Sequence, residues 1–150
     1  MNPKAVVVIL PYIQSKVLMQ LRDAKKGIVF PGCWGFFGGS MNGGETPEYT
    51  AKRELLEELE YVPSVIHKLN TARILDSENL VSHSYYCPLT EPPQRIRLKE
   101  GMDLGLFSLE EVVSKKLYSN RFRKLFPVAA PVYIPNTIRM LMKKLGKGGG

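Results

Sequence analysis

The 150-residue sequence is poor in the residues that form disulfide frameworks and thiolate or imidazole metal sites. Its two cysteines, Cys33 and Cys87, match no zinc-binding or disulfide spacing. Its two histidines, His67 and His83, stand at no spacing typical of metal ligands or of a catalytic triad. No apolar run approaches the roughly 20 residues that a membrane-spanning helix needs, and residues 5–10 are too short a run for a signal peptide. We therefore expect a cytoplasmic protein without membrane contact.

Acidic residues are missing from the end of the sequence. Residues 112–150 carry nine basic and no acidic side chains, whereas residues 1–111 carry 12 basic and 14 acidic ones. The formal net charge of +7 is therefore concentrated near the C-terminus. Such a segment favours polyanionic partners, but Lys143, Lys144 and Lys147 are equally compatible with a solvated tail.

The overall composition is typical of a soluble globular protein, with 44% hydrophobic and 23% charged residues. The length suits one domain with a proper hydrophobic core. We assign residues 1–145 to that domain. The glycine-rich residues 146–150 are expected to form a flexible tail.

The first half of the sequence predicts strands followed by a helix. Residues 5–13 are rich in β-branched side chains and predict a strand, with Pro11 near an edge or a bulge. Residues 16–22 predict a second strand, and residues 34–37 form a short apolar segment. Thr46 is a suitable N-cap for a helix that ends at about Leu59.

The second half predicts shorter elements and a terminal helix. The sequence predicts a strand within residues 64–74, a strand over 82–89 and extended chain over 95–98. A loop over 99–105 follows, and then a helix over 109–115 with Ser108 immediately before it. Residues 118–135 are predicted to be irregular, and a last helix is predicted from about Asn136. Strands mixed with two or three helices indicate the α/β class.

Four glutamates and one arginine stand at fixed offsets across a glycine-rich loop and the first predicted helix. At about 100° per residue, Glu54, Glu57 and Glu58 share one arc of that helix, next to an arc of apolar residues. Glu45 lies in the preceding loop and Arg53 in the helix. Like charges at this spacing destabilise a helix, so the arrangement indicates a bound cation. A hard divalent ion that prefers oxygen ligands is the obvious candidate.

This stretch resembles the signature of the Nudix hydrolases, and in particular their MutT-like branch. That signature reads Gly, five residues, Glu, seven residues, then Arg-Glu-aliphatic-x-Glu-Glu-x-Gly-aliphatic. The positions that match are Gly39, Glu45, Arg53, Glu54, Leu55, Glu57 and Glu58. Two positions depart from it, because Glu60 replaces the glycine and Tyr61 the last aliphatic residue. The resemblance implies an α/β/α sandwich with a mixed central sheet.

The resemblance also implies an activity and a set of ligands. Nudix hydrolases cleave a pyrophosphate bond in a nucleoside diphosphate derivative with Mg²⁺ or Mn²⁺ and water. Such metals neutralise phosphate charge and activate a bound water, which is chemistry that clustered carboxylates support. The expected metal ligands are Glu54, Glu57, Glu58, Glu100 and Gly39. The expected catalytic residues are Glu54, Glu57, Arg53 and Glu100, and the general base is open among the three glutamates.

Arg53 and Glu45 are expected to support the metal site. Arg53 stands four residues before Glu57 and could orient its carboxylate, although a surface ion pair is the simpler alternative. Glu45 resembles the family position that supports the helix start. Outside the motif, Glu100 is the candidate for an additional acidic residue, with Asp103 behind it, and an ordinary charged turn is the alternative.

The substrate is the least determined feature. Trp34 and Phe37 are candidates for stacking on a nucleobase, against the alternative of core packing. Arg121 could contact phosphates, against the alternative of a solvated basic loop, and Glu45 completes the candidate substrate-binding set. Ala130 stands where MutT-type enzymes carry an asparagine that reads oxidised guanine, which argues against strict specificity for 8-oxo-dGTP.

Two functions from different classes remain open. The first is Mg²⁺-dependent hydrolysis of a nucleoside triphosphate or nucleotide sugar. The second is a catalytically weak Nudix-like module that binds a nucleotide or RNA through the basic C-terminal third. An enzyme that acts on RNA 5′ ends would combine both. A homodimer is compatible with the sequence.

Overall fold

The computed structural model describes residues 4–73 and 80–146. Its strands are, in chain order, β1 Lys4–Ile13, β2 Lys16–Leu21, β3 Trp34–Gly35, β4 Phe37–Ser40, β5 His67–Arg73, β6 Leu80–Pro88, β7 Asp103–Ser108, β8 Lys116–Ser119 and β9 Lys124–Pro127. Its α-helices are α1 Pro47–Leu59, α2 Leu109–Val112 and α3 Tyr133–Lys144, and a 3-10 turn spans Pro93–Arg95. Within these residues, no helix is long and apolar enough to cross a membrane.

β1 is the central strand of a seven-stranded mixed sheet. It runs parallel to β6 along one side, and on the other side it pairs antiparallel first with β4 and then with β2. Residues 6–9 pair with β4, Tyr12 and Ile13 pair with β2, and Pro11 lies between the two stretches. Because proline has no N–H to donate, it suits the point at which β1 changes its neighbour.

Apolar side chains cover both faces of the sheet, because successive strand residues point to opposite faces. One face packs against Ala51, Leu55 and Leu59 of α1, and the other against Ile138 and Leu141 of α3. The first face carries Val7, Ile9, Leu18, Phe37, Tyr85 and Cys87. The second face carries Leu10, Val17, Met19, Leu21, Trp34 and Phe107. The predicted α/β fold, a mixed sheet between helices, is confirmed.

Helix α1 has the bounds that the sequence predicts. The Thr46 side chain accepts a hydrogen bond from the Tyr49 N–H at 3.2 Å, and Pro47 occupies the first turn. At the other end, Glu60 adopts a left-handed conformation with φ 52°, and its N–H donates to the Leu56 carbonyl at 2.9 Å. The chain therefore keeps the helix exit that glycine usually provides, although the residue there carries a Cβ.

Two regions differ from the sequence-based prediction. Residues 103–105, the end of the predicted loop 99–105, belong to β7, which pairs with β2 over six positions. Residues 118–135, predicted as irregular, contain most of the β8–β9 hairpin. Both pairings join segments that are distant or separated by a turn, so local sequence patterns do not reveal them.

The other elements differ mainly in their bounds. Helix α2 ends at Val112 instead of 115, and α3 begins at Tyr133, three residues before the predicted start. Residues 96–99 belong to no helix or strand. Residue 74 of the predicted strand 64–74 and residues 147–150 of the predicted tail lie outside the described residues.

The left-handed helix exit generates a prediction for stability. We expect Glu60→Gly to resist urea better than Glu60→Ala by about 1 kcal/mol, because only glycine removes the steric cost of a Cβ at positive φ. Both variants lose the contact between Glu60 and Lys99, whose Nζ lies 2.8 Å from Oε1. The difference between them therefore isolates the backbone effect. Equal urea midpoints for the two variants would contradict this account.

Candidate active site

Glu58 is the most deeply buried carboxylate of the motif. Its residue is 4% exposed, and its two oxygens accept hydrogen bonds at 3.1 Å from the Gln20 side chain and from the Gly38 N–H. Burial raises the pKa of Glu58 to about 8, and the negative charges of Glu54 and Glu100 act in the same direction. In the absence of a bound cation, the Glu58 carboxyl would therefore hold a proton near neutral pH.

Glu54 lies one turn earlier in α1 and faces Gly39 of β4. Burial raises the pKa of Glu54, although the positive charge of Arg53 partly opposes this effect. A Cβ at Gly39 would stand 2.4 Å from Glu54 Oε1 and 2.7 Å from its carboxyl carbon. Only glycine at position 39 lets the strand approach this carboxylate so closely.

Arg53 connects the glutamates with one another. Its Nε and Nη2 donate to the two oxygens of Glu45 at 2.6 and 3.0 Å. Its Nη1 donates to Glu54 at 3.1 Å and to Glu57 at 3.2 Å, and Nη2 also donates to the Ser40 carbonyl at 3.1 Å. These contacts tie α1 to its preceding loop and to β4. They raise the pKa of Arg53 above its ordinary range.

Glu45 is held at the start of α1 by several donors. The hydrogen bond from Arg53 is the main reason that the pKa of Glu45 falls to about 2, and the Asn42 N–H adds to it at 2.7 Å. The Thr50 hydroxyl also donates to Glu45, at 3.0 Å. Glu45 is thus ionised throughout the physiological range. Its contacts are with the loop at Asn42 and with Thr50 and Arg53 of α1.

Glu100 reaches the same region from the loop that precedes β7. Its charge raises the pKa values of both Glu54 and Glu58, so it lies within electrostatic range of the motif. The loop is seated by the Lys99 N–H, which donates to the Glu58 carbonyl at 2.7 Å. The Met102 N–H donates to the end of β2 at 2.7 Å. The fold therefore brings Glu100 to the motif carboxylates across more than 40 residues of sequence.

The residues present fit a hard divalent cation. Glu54, Glu57, Glu58 and Glu100 offer the carboxylate oxygens that Mg²⁺ and Mn²⁺ prefer, and the Glu57 side chain is half-exposed. In this arrangement Arg53 engages Glu54 and Glu57. Among the described residues, no three carboxylate, imidazole or thiol groups converge as a metal site.

Trp34 and Phe37, the candidates for base stacking, lie in the hydrophobic core. Both side chains are 0% exposed. The Trp34 Nε1 donates to the Leu117 carbonyl at 3.0 Å, and its ring meets Phe107 edge-on with centroids 4.8 Å apart. A stacking role needs an accessible ring face, so the core-packing alternative describes both residues.

Arg121 and Asp103 lie next to the Glu100 loop. Arg121 is exposed, and its Nη1 donates to the Met102 carbonyl at 2.8 Å. Asp103 accepts hydrogen bonds from the Ser119 hydroxyl at 2.6 Å and from the Leu104 N–H at 2.8 Å. Asp103 therefore anchors the β8–β9 hairpin to β7.

Gln20 is the site residue that sequence reasoning missed. It is 3% exposed and donates both to Glu58 and to the Phe36 carbonyl, at 3.1 and 3.3 Å. The sequence did contain a signal for Gln20, because this polar residue interrupts an apolar run over residues 17–21. A polar side chain in such a position needs a hydrogen-bond partner.

Comparisons with known proteins agree with this geometry. The NUDIX domain family model matches residues 1–128. A search of curated protein sequences found no match.

Solved structures share the fold at low sequence identity. A MutT Nudix hydrolase from Burkholderia pseudomallei is 20% identical, with a TM-score of 0.68, over 94% of this chain and 99% of that one. A Nudix hydrolase from Nitrosomonas europaea is 20% identical, with a TM-score of 0.71, over 99% and 76%. The Nudix domain of Shewanella oneidensis NrtR, solved with ADP-ribose, is 21% identical, with a TM-score of 0.66, over 97% and 88%.

The family model spans most of the sequence, including the whole glutamate motif. The fold agrees with that match. The chain belongs to the Nudix family and is a Nudix pyrophosphohydrolase.

Proposed function

We propose that this enzyme hydrolyses a pyrophosphate bond in a nucleoside triphosphate or a nucleotide sugar, with Mg²⁺ or Mn²⁺. The observation that carries the proposal is the position of two motif carboxylates against β4, where Glu54 faces Gly39 and the buried Glu58 accepts a hydrogen bond from the Gly38 N–H. The charge of Glu100 acts on both of them. A buried carboxylate without a fixed positive partner is costly, and a divalent cation removes that cost.

Different residues of the site are assigned to metal binding, to orientation of the ligands and to proton transfer. When bound, the metal ion neutralises phosphate charge and lowers the pKa of a water. Glu54, Glu57, Glu58 and Glu100 would hold it, and Glu58 would release its proton on binding. Arg53 fixes Glu54 and Glu57 in orientation. The proton of the attacking water passes to whichever of Glu54, Glu57 and Glu100 reaches it.

The substrate class has support from a structural relative. The Nudix domain of Shewanella oneidensis NrtR was solved in complex with ADP-ribose, which is itself a nucleoside diphosphate derivative. Trp34 and Phe37 are buried in the core, so we do not assign the nucleobase to either ring. We assign phosphate contacts to Arg121.

Removal of single carboxylates tests the mechanism. We expect Glu57→Gln and Glu58→Gln each to lower kcat at least about 100-fold, because each removes a metal ligand. The assay measures Mg²⁺-dependent release of phosphate or mononucleotide from a panel of nucleoside diphosphate derivatives. Glu110→Gln, an exposed carboxylate in α2, is the matched control and should retain full activity. Full turnover in both motif variants would refute the proposal.

The close approach of β4 to α1 provides a second test. In Gly39→Ala the new Cβ would displace the Glu54 carboxylate, so we expect kcat to fall at least about tenfold. Gly43→Ala is the control, because nothing lies within 4 Å of a Cβ there. Far-ultraviolet circular dichroism should be alike for both. If the two variants had equal activity, Gly39 would have no role in placing Glu54.

The buried proton of Glu58 predicts a pH dependence of stability. The pKa of this carboxyl is about 8 in the folded protein and near its ordinary 4.5 in the unfolded chain. Its stabilising contribution is therefore full below pH 4.5 and is lost as the pH rises towards 8.

Urea unfolding in the presence of a chelator measures this effect. Between about pH 5 and 8, the wild type should lose roughly 1 kcal/mol per pH unit relative to Glu58→Gln, which cannot ionise at this position. Saturating Mg²⁺ should reverse the trend, since the ion favours the ionised carboxylate. Parallel pH profiles for the two proteins in chelator would show that Glu58 is ionised in the metal-free fold.

A further inference from the structure

The tip of the β8–β9 hairpin concentrates cations around an aromatic ring. Residues 119–124 read Ser-Asn-Arg-Phe-Arg-Lys. Arg121, Arg123 and Lys124 are exposed, and Phe122 is 41% exposed although it is a large apolar side chain. Exposed aromatic rings beside basic side chains are typical of surfaces that bind single-stranded nucleic acid.

Cation–π and edge-on aromatic contacts join these side chains to one another and to Phe126. The Arg121 guanidinium carbon lies 5.4 Å from the centre of the Phe122 ring, and the Lys124 Nζ lies 5.0 Å from that of Phe126. The rings of Phe122 and Phe126 meet edge-on, with centroids 5.9 Å apart. Cation–π and edge contacts restrict the rotamers of all four side chains. A ligand would therefore meet a surface that loses little entropy on binding.

The tip is fixed beside the Glu100 loop, which precedes β7. The buried Ser119 hydroxyl donates to Asp103 at 2.6 Å and accepts from the Phe122 N–H at 3.1 Å. Arg121 Nη1 donates to the Met102 carbonyl. Met102 is two residues from Glu100, at most about 7 Å along the chain. A polymer lying on the tip would pass close to the proposed reaction centre.

A second group of cations emerges from the same end of the sheet. Leu21 ends β2, pairs with Asp103, and accepts a hydrogen bond from the Met102 N–H. The loop that follows carries the exposed Lys25 and Lys26, and Phe30, which is 49% exposed. The Glu100 loop thus contacts both the end of β2 and the hairpin tip, and the loops at these two places both present basic and aromatic side chains.

We propose that the hairpin tip binds single-stranded nucleic acid, with a base on Phe122 and phosphates on Arg123 and Lys124. The absence of acidic residues over 112–150 gives the charge complementarity. Residues 119–124 carry three exposed cations around one aromatic ring, Phe122, which is typical of a stacking surface, and the exposed Tyr118 and Leu125 flank them. The proposal concerns binding and holds whichever small molecule the motif hydrolyses.

Anisotropy of labelled oligonucleotides tests the surface. The probes are uridine and thymidine homopolymers of about 12 nucleotides, titrated with full-length protein over a salt series. We expect Arg123→Gln with Lys124→Gln to weaken binding at least about tenfold and to reduce the slope of log K against log[salt] by about 1.4. Phe122→Leu should weaken binding by about 5- to 150-fold, and Phe122→Trp should retain it.

Matched controls separate specific contacts from net charge. Lys16→Gln with Lys52→Gln removes the same charge from exposed positions, and Lys16 lies at the opposite end of β2 from the tip. This variant should keep the wild-type affinity and salt slope. Thermal melting of every variant checks that the fold survives, and tighter binding of one homopolymer identifies RNA or DNA as the preferred ligand.

Three results would overturn the proposal. One is the absence of oligonucleotide binding at low salt, and another is an equal loss in the control variant. The third is binding to vesicles of anionic phospholipid that Phe122→Leu preserves, together with no binding to either homopolymer. Each of these results is independent of the hydrolysis assays, so the two proposals can fail separately.

Discussion

Electrostatic repulsion among the glutamates of α1 is the constraint that shapes the rest of the site. Glu54, Glu57 and Glu58 fall within one helical turn, where like charges destabilise the helix. The metal-free protein relieves this repulsion in two ways. Arg53 shares its guanidinium between Glu54, Glu57 and Glu45, and Glu58 takes up a proton because it is buried. A divalent cation would do the work of both.

The parts of the fold that depend on local sequence could be predicted. The N-cap Thr46, Pro47 in the first turn and the apolar arc of α1 are all signals within one stretch of chain, and the helix has the predicted bounds. β7 and the β8–β9 hairpin could not be predicted in this way. β7 exists because β2 offers six partners some 85 residues earlier in the chain, and the hairpin contains Pro127 at the end of a strand. Pairing partners of this kind are specified by the assembled sheet.

In the active site too, features set by local sequence could be predicted, whereas features set by the assembled fold could not. The spacing of the motif carboxylates identified them, since a helix converts sequence offsets directly into a shared face. The environment of each side chain was not predictable to the same extent. Trp34 and Phe37 have the chemistry of a base platform, but their rings lie in the core. Gln20 has no catalytic chemistry of its own, yet it donates a hydrogen bond to the buried Glu58. Which face a strand residue presents depends on register, which sequence alone leaves open.

The change of neighbour along β1 at Pro11 has a further consequence. Gln20 belongs to β2 and Gly38 to β4, and both strands take their positions from successive stretches of β1. The spacing of the two donors to Glu58 therefore depends on the length of β1, a strand that itself contains no carboxylate. One residue inserted between Ile9 and Tyr12 would shift β2 against β4 by about 3.3 Å. Such an insertion would separate Gln20 from Gly38, the two residues that donate hydrogen bonds to Glu58. The length of the central strand β1 therefore sets the geometry of the active site.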